Sequence, residues 1–86
     1  MEERYHNLCI TITDRQNDYS KVGEILHNYA DFIQLRVGYP IPDENVAIIF
    51  IIIKMTNNTL GALTGKLGQI KTVLVRATTI KIEQKK

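Results

Sequence analysis

Val46-Ala47-Ile48-Ile49-Phe50-Ile51-Ile52-Ile53 is apolar at every position and dense in β-branched residues. It is far shorter than the roughly 20 residues that span a bilayer, so it reads as a central strand covered on both faces. Just upstream, Ile33, Leu35 and Val37 alternate with Gln34 and Arg36, the period of a second strand. Gly38, Pro40 and Pro42 are expected to stop that ladder, since proline has no N–H to donate. Downstream, Thr56-Asn57-Asn58-Thr59 offers N-cap side chains, and Leu60, Leu63, Leu67 and Ile70 recur at helical spacing, predicting a helix that ends near Gly68.

The flanks complete the pattern. From Arg4 to Thr13, Leu8, Ile10 and Ile12 share one side of a strand, with Asn7, Cys9, Thr11 and Thr13 on the other. The polar break Asp14-Arg15-Gln16-Asn17-Asp18 precedes Tyr19, Val22, Ile25, Leu26 and Tyr29, predicting a helix from about Asp18 to Tyr29 with Asn17 or Asp18 as its cap. After the second helix, Val73, Val75 and Ala77 alternate with Leu74, Arg76 and Thr78; Ile80 and Ile82 extend this last strand, and residues 83–86 form a charged tail expected to be loose.

The order β-α-β-β-α-β, joined by right-handed crossovers, gives an α+β ferredoxin-like sandwich. It has a four-stranded antiparallel sheet, both helices on one face, and the first and third strands in the middle, in one domain over residues 1–86. The uncovered face would then expose apolar side chains of the third strand to water. Self-association through the sheet face or a sheet edge resolves this, and a homo-oligomer, dimer or tetramer, is expected.

Composition narrows the function. In 86 residues there are 11 Lys and Arg against 9 Asp and Glu, and setting aside Lys85 and Lys86 leaves the two signs equal. A two-domain enzyme and a basic nucleic-acid platform are both excluded. Cys9 is the one cysteine, and with only His6 and His27 it cannot close a structural zinc set; no metal and no cofactor are expected. A lone thiol and a charged N-terminus, Met1-Glu2-Glu3-Arg4, without the apolar run of a signal peptide, suit a reducing cytoplasm. His6 and His27 read as surface or structural residues. Cys9 reads as a small half-buried strand residue or a thiol at a subunit interface.

Three glycines in the second predicted helix, Gly61, Gly65 and Gly68, cost stability and imply close packing on the sheet or on a partner. A phosphate loop is ruled out, because these glycines lie within the leucine pattern and Leu67 follows Gly65-Lys66 where Ser or Thr would hold magnesium. No Ser/His/Asp set or nucleophile elbow occurs, and no catalytic activity is expected. The central strands offer only Tyr5 and Phe50 as aromatic platforms, too few for an RNA-recognition domain. An acylphosphatase would need a glycine-rich loop around Arg15, which is absent.

The polar cluster Asp14-Arg15-Gln16-Asn17 is the candidate ligand site. It joins a central strand to a helix whose N-terminus would aim unpaired N–H groups at an anion, with Arg15 pairing a carboxylate and Asp14 and Asn17 orienting an amino group or amide. A neighbouring subunit would supply the remaining wall. The competing reading is that the cluster only caps the helix and leaves Arg15 solvated.

Leu35-Arg36-Val37-Gly38-Tyr39-Pro40, Ala47-Ile48-Ile49-Phe50 and the stretch from Leu60 to Ile70 together resemble a family of small ACT-like proteins described as regulators of the iron-only hydrogenase system. The resemblance covers nearly the whole chain and implies an ACT-like fold and a regulatory role. The first strand running into Asp14-Arg15 also resembles the start of ACT domains, which bind amino acids at subunit interfaces, although the glycine that usually follows the pair is absent. The fold is similar to the C-terminal half of nickel-responsive regulators, but the paired strand histidines of their metal site are missing here. With the first strand starting within a few residues of Met1, no ribbon-helix-helix arm is expected, and a regulator of this kind would be expected to act through a ligand or a protein partner without touching DNA. The alternative is a structural or protein-interaction module that oligomerises through its sheet and binds no small ligand.

Overall fold

Alternation in Glu3–Ile12 places His6, Leu8, Ile10 and Ile12 on one side, all fully buried, and this segment forms the first strand, β1. The computed structural model describes residues 2–82, so the expected tail at 83–86 lies outside the described residues. Helix α1 spans Arg15–His27, followed by a short 3-10 turn, Ala30–Phe32. Strand β2 is Ile33–Pro40, β3 is Ala47–Thr56, helix α2 is Asn57–Gly68, and β4 is Val73–Thr79.

The sheet order is β2-β3-β1-β4, with every neighbouring pair antiparallel. The expected ferredoxin-like α+β architecture is therefore present, with β1 and β3 central. Leu8, Ile10 and Ile12 of β1 meet Ile49, Ile51, Ile53 and Met55 of β3 under Val22 and Leu26 of α1 and Leu63 and Leu67 of α2. Each of these side chains is removed from water, a gain of about 1.5 to 3 kcal/mol apiece before the entropy of folding is set against it.

Several boundaries differ from the sequence reading, and β4 ends at Thr79, so Ile80 and Ile82 do not extend it. Helix α1 starts at Arg15, not Asp18, because Asp14 is its cap. Strand β2 continues through Gly38 and Tyr39 to Pro40, paired with Ile49, Ile48 and Ala47. Its lack of an outer neighbour explains this, since an edge strand tolerates a residue that cannot donate. Strand β3 runs past Ile53 to Thr56, whose hydroxyl accepts from the Thr59 backbone N–H at 3.2 Å and so caps α2 directly.

His6 sits inside the core, its Nε2 3.0 Å from the Met55 carbonyl oxygen and its Nδ1 3.0 Å from Thr79 Oγ1. The neutral tautomer with the proton on Nε2 satisfies both, donating to the carbonyl and accepting from the hydroxyl. Cys9 is exposed on the opposite side of the same strand, and His27 lies in the exposed last turn of α1. Gly61, Gly65 and Gly68 do not pack on the sheet. A β-carbon added at any of them would meet nothing within 4 Å, so close approach to the chain's own sheet is not their reason.

The second face of the sheet is open in the single chain. Register puts Leu35, Val37 and Tyr39 of β2 beside Ile52, Phe50 and Ile48 of β3, with Cys9 and Thr11 of β1 and Leu74 and Arg76 of β4 continuing the surface. Val37 and Leu74 remain 51% and 65% exposed there, a large apolar area for one chain to leave in water.

Candidate functional site

Strand β1 ends at Ile12, and the chain turns into α1 through Thr13 and Asp14. Thr13 is held to the turn that leads into β4, its N–H and hydroxyl both donating to the Thr72 carbonyl at 2.8 and 2.9 Å. Asp14 then serves as the N-cap. Its Oδ1 accepts from the Asn17 N–H at 3.4 Å and its Oδ2 from the Asn17 side-chain amide at 2.9 Å. Asn45, in the β2–β3 connection, donates from its side-chain amide to Asp14 Oδ1 at 2.8 Å. The bonds from the Asn17 and Asn45 side chains hold the Asp14 carboxyl below the usual carboxylate value.

Asn45 is delivered by a tight turn. The Glu44 N–H donates to the Ile41 carbonyl at 3.2 Å, with Pro42 and Asp43 at the corners, and Asp43 adopts φ 64°. Proline followed by a residue in the left-handed region is the pattern of a type II turn, and aspartate tolerates that region better than most side chains. The backbone carbonyl of Asn45 then accepts from the Arg15 N–H at 3.0 Å, and its Oδ1 accepts from the Gln16 N–H at 2.9 Å.

This bonding corrects one expectation. The N–H groups of Arg15, Gln16, Asn17 and Asp18 all have acceptors, the last donating to the Asp14 carbonyl at 2.9 Å. The helix N-terminus is satisfied from within and offers no free N–H to an anion. Asp18, once a cap candidate, is nearly buried, accepting from the Thr72 hydroxyl at 2.5 Å and pairing with Lys21 at 3.3 Å.

A cavity of about 620 Å³ adjoins the network. From α1 it is lined by Arg15, Gln16 and Tyr19, from the end of β2 by Gly38, Tyr39 and Pro40, and across from these by Asn45 and Ala47. Of the four residues expected from the sequence, Arg15 and Gln16 line this cleft. Asp14 and Asn17 do not line it; they hold Asn45, which does. Among the described residues neither the Arg15 guanidinium nor the Gln16 side-chain amide has a hydrogen-bond or ion-pair partner in the protein. At Gly38 an added β-carbon would stand 3.6 Å from the Tyr19 hydroxyl, so the missing side chain keeps the cleft open between α1 and β2.

Tyr19, Gly38, Tyr39, Pro40, Asn45 and Ala47 escaped the sequence reading. Helical spacing puts Tyr19 on the core face of α1, Gly38 and Pro40 read as a strand stop, and Gly38-Tyr39-Pro40 otherwise enters only through the family resemblance. The signal available was the Pro42-Asp43 turn, which returns the chain toward the start of the first helix.

His6 is buried in the core while Cys9 and His27 are exposed on different elements, and no group of three or more metal-ligating side chains forms among the described residues. No helix among them is long and apolar enough to cross a membrane.

The chain is similar to the solved structure of uncharacterized protein TM1266 from Thermotoga maritima, with 50% identity over 93% of this chain and 100% of that one and a TM-score of 0.88. The ACT domain from GTP pyrophosphokinase of Chlorobium tepidum shares the fold at 17% identity, with a TM-score of 0.73 over 88% of this chain and 99% of that one in the crystal. Its solution structure gives 15% identity and 0.70, covering 100% and 96%. No curated protein matches the chain. Residues 4–77 match the TM1266-like family, described as "Iron-only hydrogenase system regulator, putative", and with half its aligned residues shared with the Thermotoga protein the chain belongs to that family.

Proposed function

We propose that this ACT-like protein is a non-catalytic, ligand-responsive regulator of the iron-only hydrogenase system that works in the cytoplasm as a homo-oligomer. The observation that carries the reading is the cleft at the β1–α1 junction, a cavity of about 620 Å³ lined by Arg15 and Gln16, whose side chains have no partner among the described residues. That volume falls in the roughly 300 to 1,000 Å³ range of small-molecule sites. In this reading Arg15 and Gln16 contact the effector, while Asp14 and Asn17 hold Asn45 in the wall. A second subunit covers the exposed side of the cleft. No DNA, RNA or membrane contact is part of the mechanism.

The open sheet face supports the second element, self-association. Val37, Tyr39, Phe50 and Leu74 are each at least 39% exposed on that face, and a dimer or tetramer would remove them from water. The same face favours a second reading, a protein-interaction module without a small ligand. Thermal-shift screening of amino acids, other carboxylates and small anions, repeated on Arg15→Ala, separates the two. A stabilising ligand lost with Arg15 supports the regulator, and a screen without any hit favours the interaction module. Light scattering at micromolar concentration should report a dimer or larger, and Phe50→Glu should shift it toward monomer. A wild-type monomer would defeat the self-association.

A further inference from the structure

Resting on the reading of the protein as a homo-oligomer, we propose that a second copy of this chain packs face to face on the open side of the sheet. The two-fold axis runs across the strands, so that each strand lies over its own counterpart. Cross-strand register aligns Val37, Phe50, Cys9 and Arg76 in one row from β2 through β3 and β1 to β4. Flanking rows begin with Tyr39 and Ile48 on one side and with Leu35 and Ile52 on the other. The β2–β3 half is therefore apolar in all three rows. The β1–β4 half is mostly polar, and a bond within the chain fits it for burial, the Thr78 hydroxyl donating to Asn7 Oδ1 at 2.6 Å.

Area decides how much of the face the partner covers. Strands about 4.8 Å apart and rows about 6.8 Å apart give this face a projection of about 400 Å², and its apolar half about 200 Å². A standard interface takes about 800 Å² of accessible surface from each partner. Side-chain relief makes the accessible area larger than the projection, but the apolar half alone still falls well short. The partner therefore reaches over β1 and β4 as well and covers Cys9, which is exposed in the single chain.

The division of the face into halves selects the axis. An axis along the strands would set β2 over the β4 of the second copy, apolar against polar. An axis across the strands sets apolar half on apolar half and polar half on polar half, which makes the face complementary to itself. Phe50 and Cys9 each then face their own counterparts. Arg76, the one charged residue of the three rows, lies on the edge strand β4, where two guanidinium heads turn outward to water. The cleft opens on the helix side of β2, so a copy seated here leaves it uncovered, and its missing wall comes from another subunit of a larger oligomer.

Thiol cross-linking reads both the face and the axis. Stacked sheets lie about 10 Å apart, beyond the roughly 7 Å between Cα atoms that a disulfide tolerates, so a short bismaleimide is needed to join the two Cys9 thiols. At a micromolar concentration where light scattering reports a dimer or larger, the wild type should be cross-linked mainly to dimer. Cys9→Ala should abolish the product, and adding Arg76→Cys to Cys9→Ala should restore it, because the β4 strands are superposed too. With the axis along the strands, the two β4 strands would stand three strand spacings apart, about 14 Å sideways and out of reach. Cys9→Arg should raise the dissociation constant of the pair at least about tenfold.

A Cys9 cross-link without the Arg76→Cys one overturns the axis and the proposal with it. Neither cross-link, or the Arg76→Cys one alone, from a protein that still oligomerises puts association at a sheet edge or at the helices. That result overturns the proposal and leaves the homo-oligomer reading intact. A monomer at every concentration overturns both.

Discussion

Asn45 Nδ2 lies 2.8 Å from Asp14 Oδ1, joining two residues 31 positions apart and fixing the β2–β3 connection to the cap of α1. The contact positions the cleft. Because Asn45 also accepts from the N–H groups of Arg15 and Gln16, the start of the helix and the far wall of the cavity are one hydrogen-bonded unit. Among the described residues the side chains of Arg15 and Gln16 have no partner, while their backbone N–H groups are engaged. The arrangement suits recognition by side chains and excludes recognition by helix-terminal N–H groups.

Ionisation of Asp14 should matter to stability in a defined direction. Its folded carboxyl is held below the ordinary value by the amides of Asn17 and Asn45, so it contributes stability that is fully present above about pH 4 and is lost as pH falls through the lowered value. Asp14→Asn retains a capping side chain but cannot ionise. The thermal midpoint of the wild type should exceed that of the variant at about pH 6, and the difference should shrink as pH falls below about 4. A constant difference across that range would show that ionisation contributes nothing.

His6 should prove a structural keystone. The ring is fully buried and links β1 to the Met55 carbonyl of β3 and to Thr79 of β4. His6→Ala leaves a cavity and strands that carbonyl, at an expected cost of about 2 to 4 kcal/mol in urea unfolding. His6→Phe restores volume without the hydrogen bonds and should recover only part of the loss. A cost below about 0.5 kcal/mol for the alanine variant would mean that water replaces the ring.

The helix-two glycines give a test of what lies beyond the single chain. Nothing in the chain obstructs a β-carbon at Gly61 or Gly65, so Gly61→Ala and Gly65→Ala should each raise stability by up to about 1 kcal/mol if that face meets water. Urea unfolding at low and high protein concentration reads the result. A gain at both concentrations removes packing as the reason for the glycines. A loss confined to the associated state would show that a second subunit approaches this helix.

The alternation of Leu8, Ile10 and Ile12, the apolar run from Val46 to Ile53 and the helical spacing of Leu63 and Leu67 determined the fold, because each element buries one face and periodicity records which face that is. The same logic located the β1–α1 junction and two of the residues that line its cleft, Arg15 and Gln16. It could not assign the cap, since Asp14, Asn17 and Asp18 are all competent caps and the choice among them depended on Asn45 and Thr72, which tertiary structure brings in from distant loops. Nor could it see that Pro40 ends an edge strand facing Tyr19, because whether a proline breaks a ladder depends on whether that side of the strand has a neighbour. Periodicity is a property of one segment. The cleft arises where three segments meet, and only the folded sheet decides that meeting.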